Sequence, residues 1–144
     1  MKRLKVFYTF YKYMFLFLIG GFSYYFIEIA FRGYSHFSMI ICGGLAFVLS
    51  GALNQWSHFE MSLISQMFLS MVIITGLELV TGLIVNVWLQ LNVWDYSAMP
   101  YQFMGQICLL YSVLWMALSL VCIFVDDLLR WKIFKEEKPR YKIL

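Results

Sequence analysis

Two acids, Glu28 and Glu78, stand inside stretches that are otherwise apolar enough to cross a bilayer. A carboxylate there costs about 2.5–3.5 kcal/mol even on lenient insertion scales, so it is expected to face a partner, a cavity or an ion pathway rather than lipid tails. Arg32 follows Glu28 by four residues and can pair with it along one helix face. Glu78 has no such partner on its own helix. Proton or cation movement through two such carboxylates needs little other machinery. Around them the polar residues recur at helical spacing. Gly20, Tyr24, Glu28 and Arg32 share one stripe, and Thr75, Glu78, Gly82 and Asn86 share another, with Thr81 beside it.

The segment WDYSAMPYQFMGQ adds Trp94, Asp95, Tyr96, Ser97, Pro100, Gln102 and Gln106, and an earlier loop adds Tyr34, Ser35 and His36. Helices one and three would run the same way, so this polar set collects on one side of the bundle while the opposite half of the membrane is plain. The expectation is an outward-facing polar cavity around Glu78. Its candidate ligand-binding or ion-pathway residues are Glu28, Arg32, Glu78, Gly82, Asn86, Trp94, Asp95, Tyr96 and Ser97. Blander roles compete for some of them: Trp94, Tyr96 and Tyr101 fit an aromatic belt at the headgroups. Gly105, Ser112 and Ser119 let helices approach closely, and Asn or Gln near helix ends often only bridge helices.

Other chemistries find less support. There is no G-x-x-x-x-G-K-[ST] loop to cradle phosphates. Glu28, His36, Glu78 and Asp95 lack any metal-ligand spacing, so no metal and no cofactor is expected. Ser35 or Ser97 with His36 and Asp95 would make a triad only from loose parts, and no catalytic residue is assigned. The chain is therefore not expected to be an enzyme. Two alternatives stay open. One is an enzyme acting on lipid or envelope precursors at the outer leaflet through Glu78, His36 and Asp95, for which Arg32 is the sole outer cation. The other is a non-catalytic accessory or sensor subunit of a membrane complex.

The elements that must position these residues follow from composition. Of 144 residues, 62% are apolar or aromatic and 13% charged, against about 25% charged in soluble domains. The charges lie mostly at the two ends, so lipid is the solvent. Four spans fit: helices at about 13–31, 37–53, 61–91 and 102–131, in one all-α transmembrane domain covering 1–144. Pro100 suits the start of the fourth. Asp126 and Arg130, four apart at its far end, read as a surface pair.

Basic residues cluster before the first span and after the last, which puts the N- and C-termini of an antiparallel bundle in the cytoplasm. Loops 32–36 and 92–101 then lie outside and 54–60 inside, with Arg32 a lone exception. These clusters are juxtamembrane anchors that meet lipid headgroups, not a nucleic-acid surface. Cys42, Cys108 and Cys122 lie in apolar runs without CxxC spacing and read as free thiols. The first apolar run is too long for a signal peptide and lacks an A-x-A site, so it reads as a retained helix.

The runs ELVTGLIVN (Glu78 to Asn86), VWDYSAMP (Val93 to Pro100) and GQICLLYSVLW (Gly105 to Trp115), with Gly20, Tyr24, Glu28, Arg32, Gly33 and the pair Gly43-Gly44, carry a resemblance. From about Gly20 to Arg130 the chain resembles the type IV ABC-transporter family of small four-helix bacterial membrane proteins. That resemblance implies a membrane component of a transport system, with Glu78, Gly82, Asn86, Trp94, Asp95, Tyr96, Ser97 and Pro100 as its functional positions. It also implies a cell-membrane location and a separate cytoplasmic ATPase or other membrane subunits as partners. The landing surfaces for such an ATPase would be Asn54–Glu60 and the tail after Arg130. Four helices are thin for a complete transport path, so an oligomer or a larger complex is expected.

Overall fold

The computed structural model describes residues 1–144. Its element order is α1 (Lys2–Arg32), α2 (Phe37–Trp56), α3 (Leu63–Gly82), a π-helical continuation of α3 (Leu83–Trp88), short strands β1 (Gln102–Phe103) and β2 (Ile107–Cys108), and α4 (Leu109–Lys132). All four helices, α3 counted with its continuation, are long and apolar enough to cross a membrane. The chain is an all-α polytopic membrane protein whose helices alternate in direction.

The helix ends follow local chemistry. α1 stops where Gly33 takes φ 79° and donates its N–H to Ile29 O at 2.8 Å, a left-handed cap that glycine adopts without a Cβ penalty. His36 caps α2, its Nδ1 accepting from Ser38 N at 3.2 Å. Ser62 caps α3, its Oγ accepting from Ser65 N at 3.2 Å. Towards its end α3 widens to π geometry, with Leu89 N reaching Ile84 O at 2.9 Å. Such widened turns are frequent at functional sites.

Three boundaries differ from the sequence-based expectation. α1 starts at Lys2, because the basic, aromatic leader continues as helix. α3 ends at Trp88, as Gln90 and Asn92 both take positive φ. α4 starts at Leu109 and not near 102. Met104 and Gly105 (φ 53° and 71°) turn the chain into a hairpin pairing Gln102 with Cys108 and Phe103 with Ile107. Leu109 N then donates to Tyr101 O at 3.1 Å. Proline fits a helix start, but it cannot impose one through two left-handed residues.

α1 packs on α2 by interlocking glycines with large side chains. Gly20 faces Phe47, Gly43 faces Tyr24, Gly44 faces Phe17, and Gly21 lies against the Ile40 backbone carbonyl. Small residues let membrane helices approach closely where lipid offers no hydrophobic drive. α2 also packs on α3 and α4, and α3 on α4, whereas α1 and α4 meet mainly through side chains. Tyr24 approaches Trp115 with ring centroids 5.8 Å apart, and Phe15 meets Phe134, just past the end of α4, at 5.6 Å. α2 is consequently the bundle's most buried helix.

The Gly21 contact is with backbone, which cannot rotate away. We expect Gly21→Val to destabilise the bundle by about 1–3 kcal/mol, the usual cost of overpacking. Unfolding of the detergent-solubilised protein with rising SDS measures this, and the exposed Gly76→Ala, open within 4 Å, should leave the transition in place.

Candidate functional site

Glu78 lies on α3 with only 6% of its surface accessible. Its Oε1 accepts from the Tyr96 hydroxyl at 2.8 Å and its Oε2 from Trp115 Nε1 at 3.0 Å. These donors come from the loop after α3 and from α4. Tyr96 stacks on Tyr111, centroids 4.8 Å apart and planes 11° off parallel. Burial and the neighbouring Glu78 raise the Tyr96 hydroxyl pKa, so the phenol stays protonated and acts as donor. No cationic side chain is paired with Glu78.

Tyr96 can reach Glu78 because its loop folds back into the bundle. Asn86, on the π-helical turn, accepts at Oδ1 from Val93 N (2.7 Å) and Trp94 N (3.4 Å), and donates from Nδ2 to Gln106 Oε1 at 2.8 Å. Trp94 Nε1 donates to Gln106 O at 3.0 Å. Val93 and Trp94 join Met39, Cys42 and Val85 in the buried core cluster. Gly82 leaves the space beneath them: a Cβ there would come within 2.5 Å of Gln106 Oε1 and 3.0 Å of the Trp94 ring. One amide side chain thus holds the loop where bare backbone N–H groups would be costly.

Glu28 is held separately. It accepts from Ser35 Oγ at 2.7 Å, Arg32 Nη2 at 3.3 Å and Tyr24 OH at 3.3 Å. Arg32 Nη1 also donates to Val93 O at 3.2 Å, so the pair fastens the end of α1 to the folded-back loop.

A cavity of about 210 Å3 lies between α1 and α4, floored by α2 and α3. Glu28, Glu78, Trp94 and Tyr96 line it; Arg32, Gly82, Asn86, Asp95 and Ser97 do not. Fifteen of its twenty lining residues are hydrophobic, so the wall expected to be polar is mostly apolar with two acids set into it. Asp95 is exposed and turns inward on its own loop, accepting from Ser97 N at 2.8 Å and Ser97 Oγ at 2.5 Å. Those bonds hold the Asp95 carboxyl pKa below its ordinary value. His36 serves as a helix cap, and no three His, Cys, Asp or Glu side chains converge as a metal site.

At the end of the bundle that carries both termini there is a second polar cluster, where the sequence suggested little. Asp126 and Arg130 are not a surface pair: they are 0% and 2% accessible, with Arg130 Nε 2.7 Å from Asp126 Oδ2. Asp127 accepts from Asn54 Nδ2 (2.9 Å), Gln55 Nε2 (3.0 Å) and Tyr141 OH (2.9 Å). Gln66 Nε2 donates to Asn54 Oδ1 at 3.1 Å. Glu136 ties Lys12 of α1 to this end, with Arg130 Nη1 3.8 Å from its Oε2. The tail supplies the cover, Leu63 N donating to Lys142 O at 2.5 Å.

Helix four passes Asp126 against Gly51, where no side chain intrudes. The signal was present, since Asp126-Asp127 is a carboxylate pair in a span with a single basic residue at i+4. Trp115 was also missed, because an indole in an apolar helix looks like any lipid-facing aromatic.

Set against known proteins, residues 4–143 match the model of a family described as Putative ABC-transporter type IV. The chain belongs to that family. No curated protein and no solved structure matches it.

The Asp126–Arg130 pair makes a sharp energetic prediction. Arg130→Met should cost about 3–5 kcal/mol by stranding a buried carboxylate. The double change Asp126→Leu with Arg130→Met should recover most of that loss, as read by SDS unfolding in mixed micelles. At the other end, Asn86→Leu should free the 92–96 loop, visible as faster proteolysis there and a red shift in the summed tryptophan emission.

Proposed function

We propose that this chain, as a member of the type IV ABC-transporter family, is a transport subunit of the cell membrane whose substrate-handling site is the Glu78 cavity. The observation that carries this reading is an acid deep in an apolar bundle, held by donors from two other elements and set on a cavity wall. An acid with a purely structural role would be satisfied without a cavity beside it. Glu28 and Arg32 then act at the rim, fastening α1 to the loop that delivers Tyr96.

In this reading the chain itself hydrolyses nothing, and a cytoplasmic ATPase supplies the energy. The basic residues at both ends support that side for the termini. The loop Asn54–Glu60 and the tail after Arg130, which covers the buried Asn54, Gln66 and Asp127, are then the surface that meets the partner. Movement there would be felt by the cavity, because the α1–α4 seam runs from the Lys12–Glu136 contact to Tyr24 and Trp115.

Affinity purification of the full chain from cross-linked native membranes, read by mass spectrometry, should recover an ABC-type ATPase. Inverted vesicles supplied with ATP should then change their small-molecule content, as read by untargeted mass spectrometry. Glu78→Gln should keep the subunits together and lower that ATP-dependent change at least tenfold. Full transport by the Gln variant would move the site elsewhere, and recovery of the chain with no ATPase would remove the transport assignment.

A further inference from the structure

We infer that the α1–α4 cavity takes a small lipophilic molecule bearing one positive charge, such as a protonated aromatic amine, and admits it from the lipid phase. This rests on the reading of that cavity as the substrate site and names the class it would accept. Three observations converge on it.

The first is the uneven neutralisation of the two acids. Glu28 is offset by Arg32, whose Nη2 lies 3.3 Å away. Glu78 receives only neutral donors, Tyr96 and Trp115, one on each oxygen. Each oxygen accepts one donor and keeps a further lone pair for a ligand. A buried carboxylate with no counter-charge in its own chain is charge-selective, because a ligand cation beside it would complete the pair and hold the acid ionised.

The second is the wall. Fifteen of its twenty residues are hydrophobic, which suits an apolar body and leaves a hydrated ion without partners. Its volume of about 210 Å3 exceeds the roughly 150 Å3 of an apolar cavity that holds benzene. One ring with a short ammonium arm fits. Tyr24 and Trp115, adjacent to one another on facing walls, present aromatic faces that attract cations.

The third is the route of access. The exposed residues of the lining are Ser23 and Ile27 on α1 and Val121 and Val125 on α4. The mouth therefore lies along the α1–α4 seam, on a lateral face of two membrane-spanning helices. Asp95 and Ser97, the exposed polar residues of the loop, take no part in the lining. A lipophilic cation concentrates in the membrane and reaches such a mouth sideways.

Bromine quenches tryptophan on contact, and Trp94 and Trp115 both line the cavity. The test titrates 4-bromobenzylammonium and 4-bromobenzyl alcohol, which match in shape and differ in charge, into the full chain in lipid nanodiscs. The expected result is saturable quenching with the ammonium binding on the order of tenfold more tightly, as a close buried ion pair provides. Glu78→Asp should keep that preference and Glu78→Gln should abolish it.

Equal affinity for the two probes would overturn the charge class while leaving the cavity as a lipophilic site. Absence of saturable quenching by either probe would overturn both. A preference that survives in folded Glu78→Gln would also overturn the assignment. Should the Gln variant not fold, the wild-type and Glu78→Asp comparisons decide by themselves.

Discussion

The requirement that a carboxylate inside lipid find donors within its own chain organises this molecule. Glu78 meets it by drawing Tyr96 from a loop and Trp115 from a neighbouring helix. For the tyrosine to arrive, the chain after α3 must turn back into the bundle, and that turn needs its own polar groups satisfied. Asn86 and Gln106 do so between them. The π-helical turn, the burial of Val93 and Trp94, the small residue at Gly82 and the late start of α4 are all consequences of that one return.

A second polar layer repeats the logic at the terminal end. Asp126 and Asp127 are adjacent, so they point in different directions around α4 and are satisfied differently, one by Arg130 and the other by Asn54, Gln55 and Tyr141. Four buried atoms of this layer, Gln55 Oε1, Gln66 Oε1, Asp126 Oδ1 and Arg130 Nη2, find no partner in the chain. Between the layers lies a mostly apolar cavity, because α1 leans on α2 through glycine contacts and leaves its seam with α4 loosely filled. A bundle pinned at both ends and open along one seam in the middle is a natural holder for a ligand that arrives from the membrane.

The candidate site was partly legible. Glu28, Glu78, Trp94 and Tyr96 stood out as acids in apolar runs or as a polar-aromatic loop, and the structure brings them to one cavity. Arg32, Gly82 and Asn86 stood out equally well but act by fastening and clearing space for the loop. Asp95 and Ser97 bond to one another on the surface. Type and spacing identify a residue as unusual; they do not separate a group that lines a cavity from one that holds the wall.

What the amino-acid sequence determined by itself was the solvent and the architecture it permits. Apolar runs near bilayer length, with charge confined to their ends, leave helices as the form that satisfies every backbone group locally. Family membership was legible too, because it rests on contiguous motifs. Tertiary structure alone decided which polar residues meet, since Asp127 with Asn54 and Trp115 with Glu78 are 73 and 37 residues apart. Helical periodicity fixes the direction of a side chain about its own axis and carries no information on the rotation and depth of the helix it faces. Those were set by glycine contacts on one side of α2 and by buried polar pairing on the other.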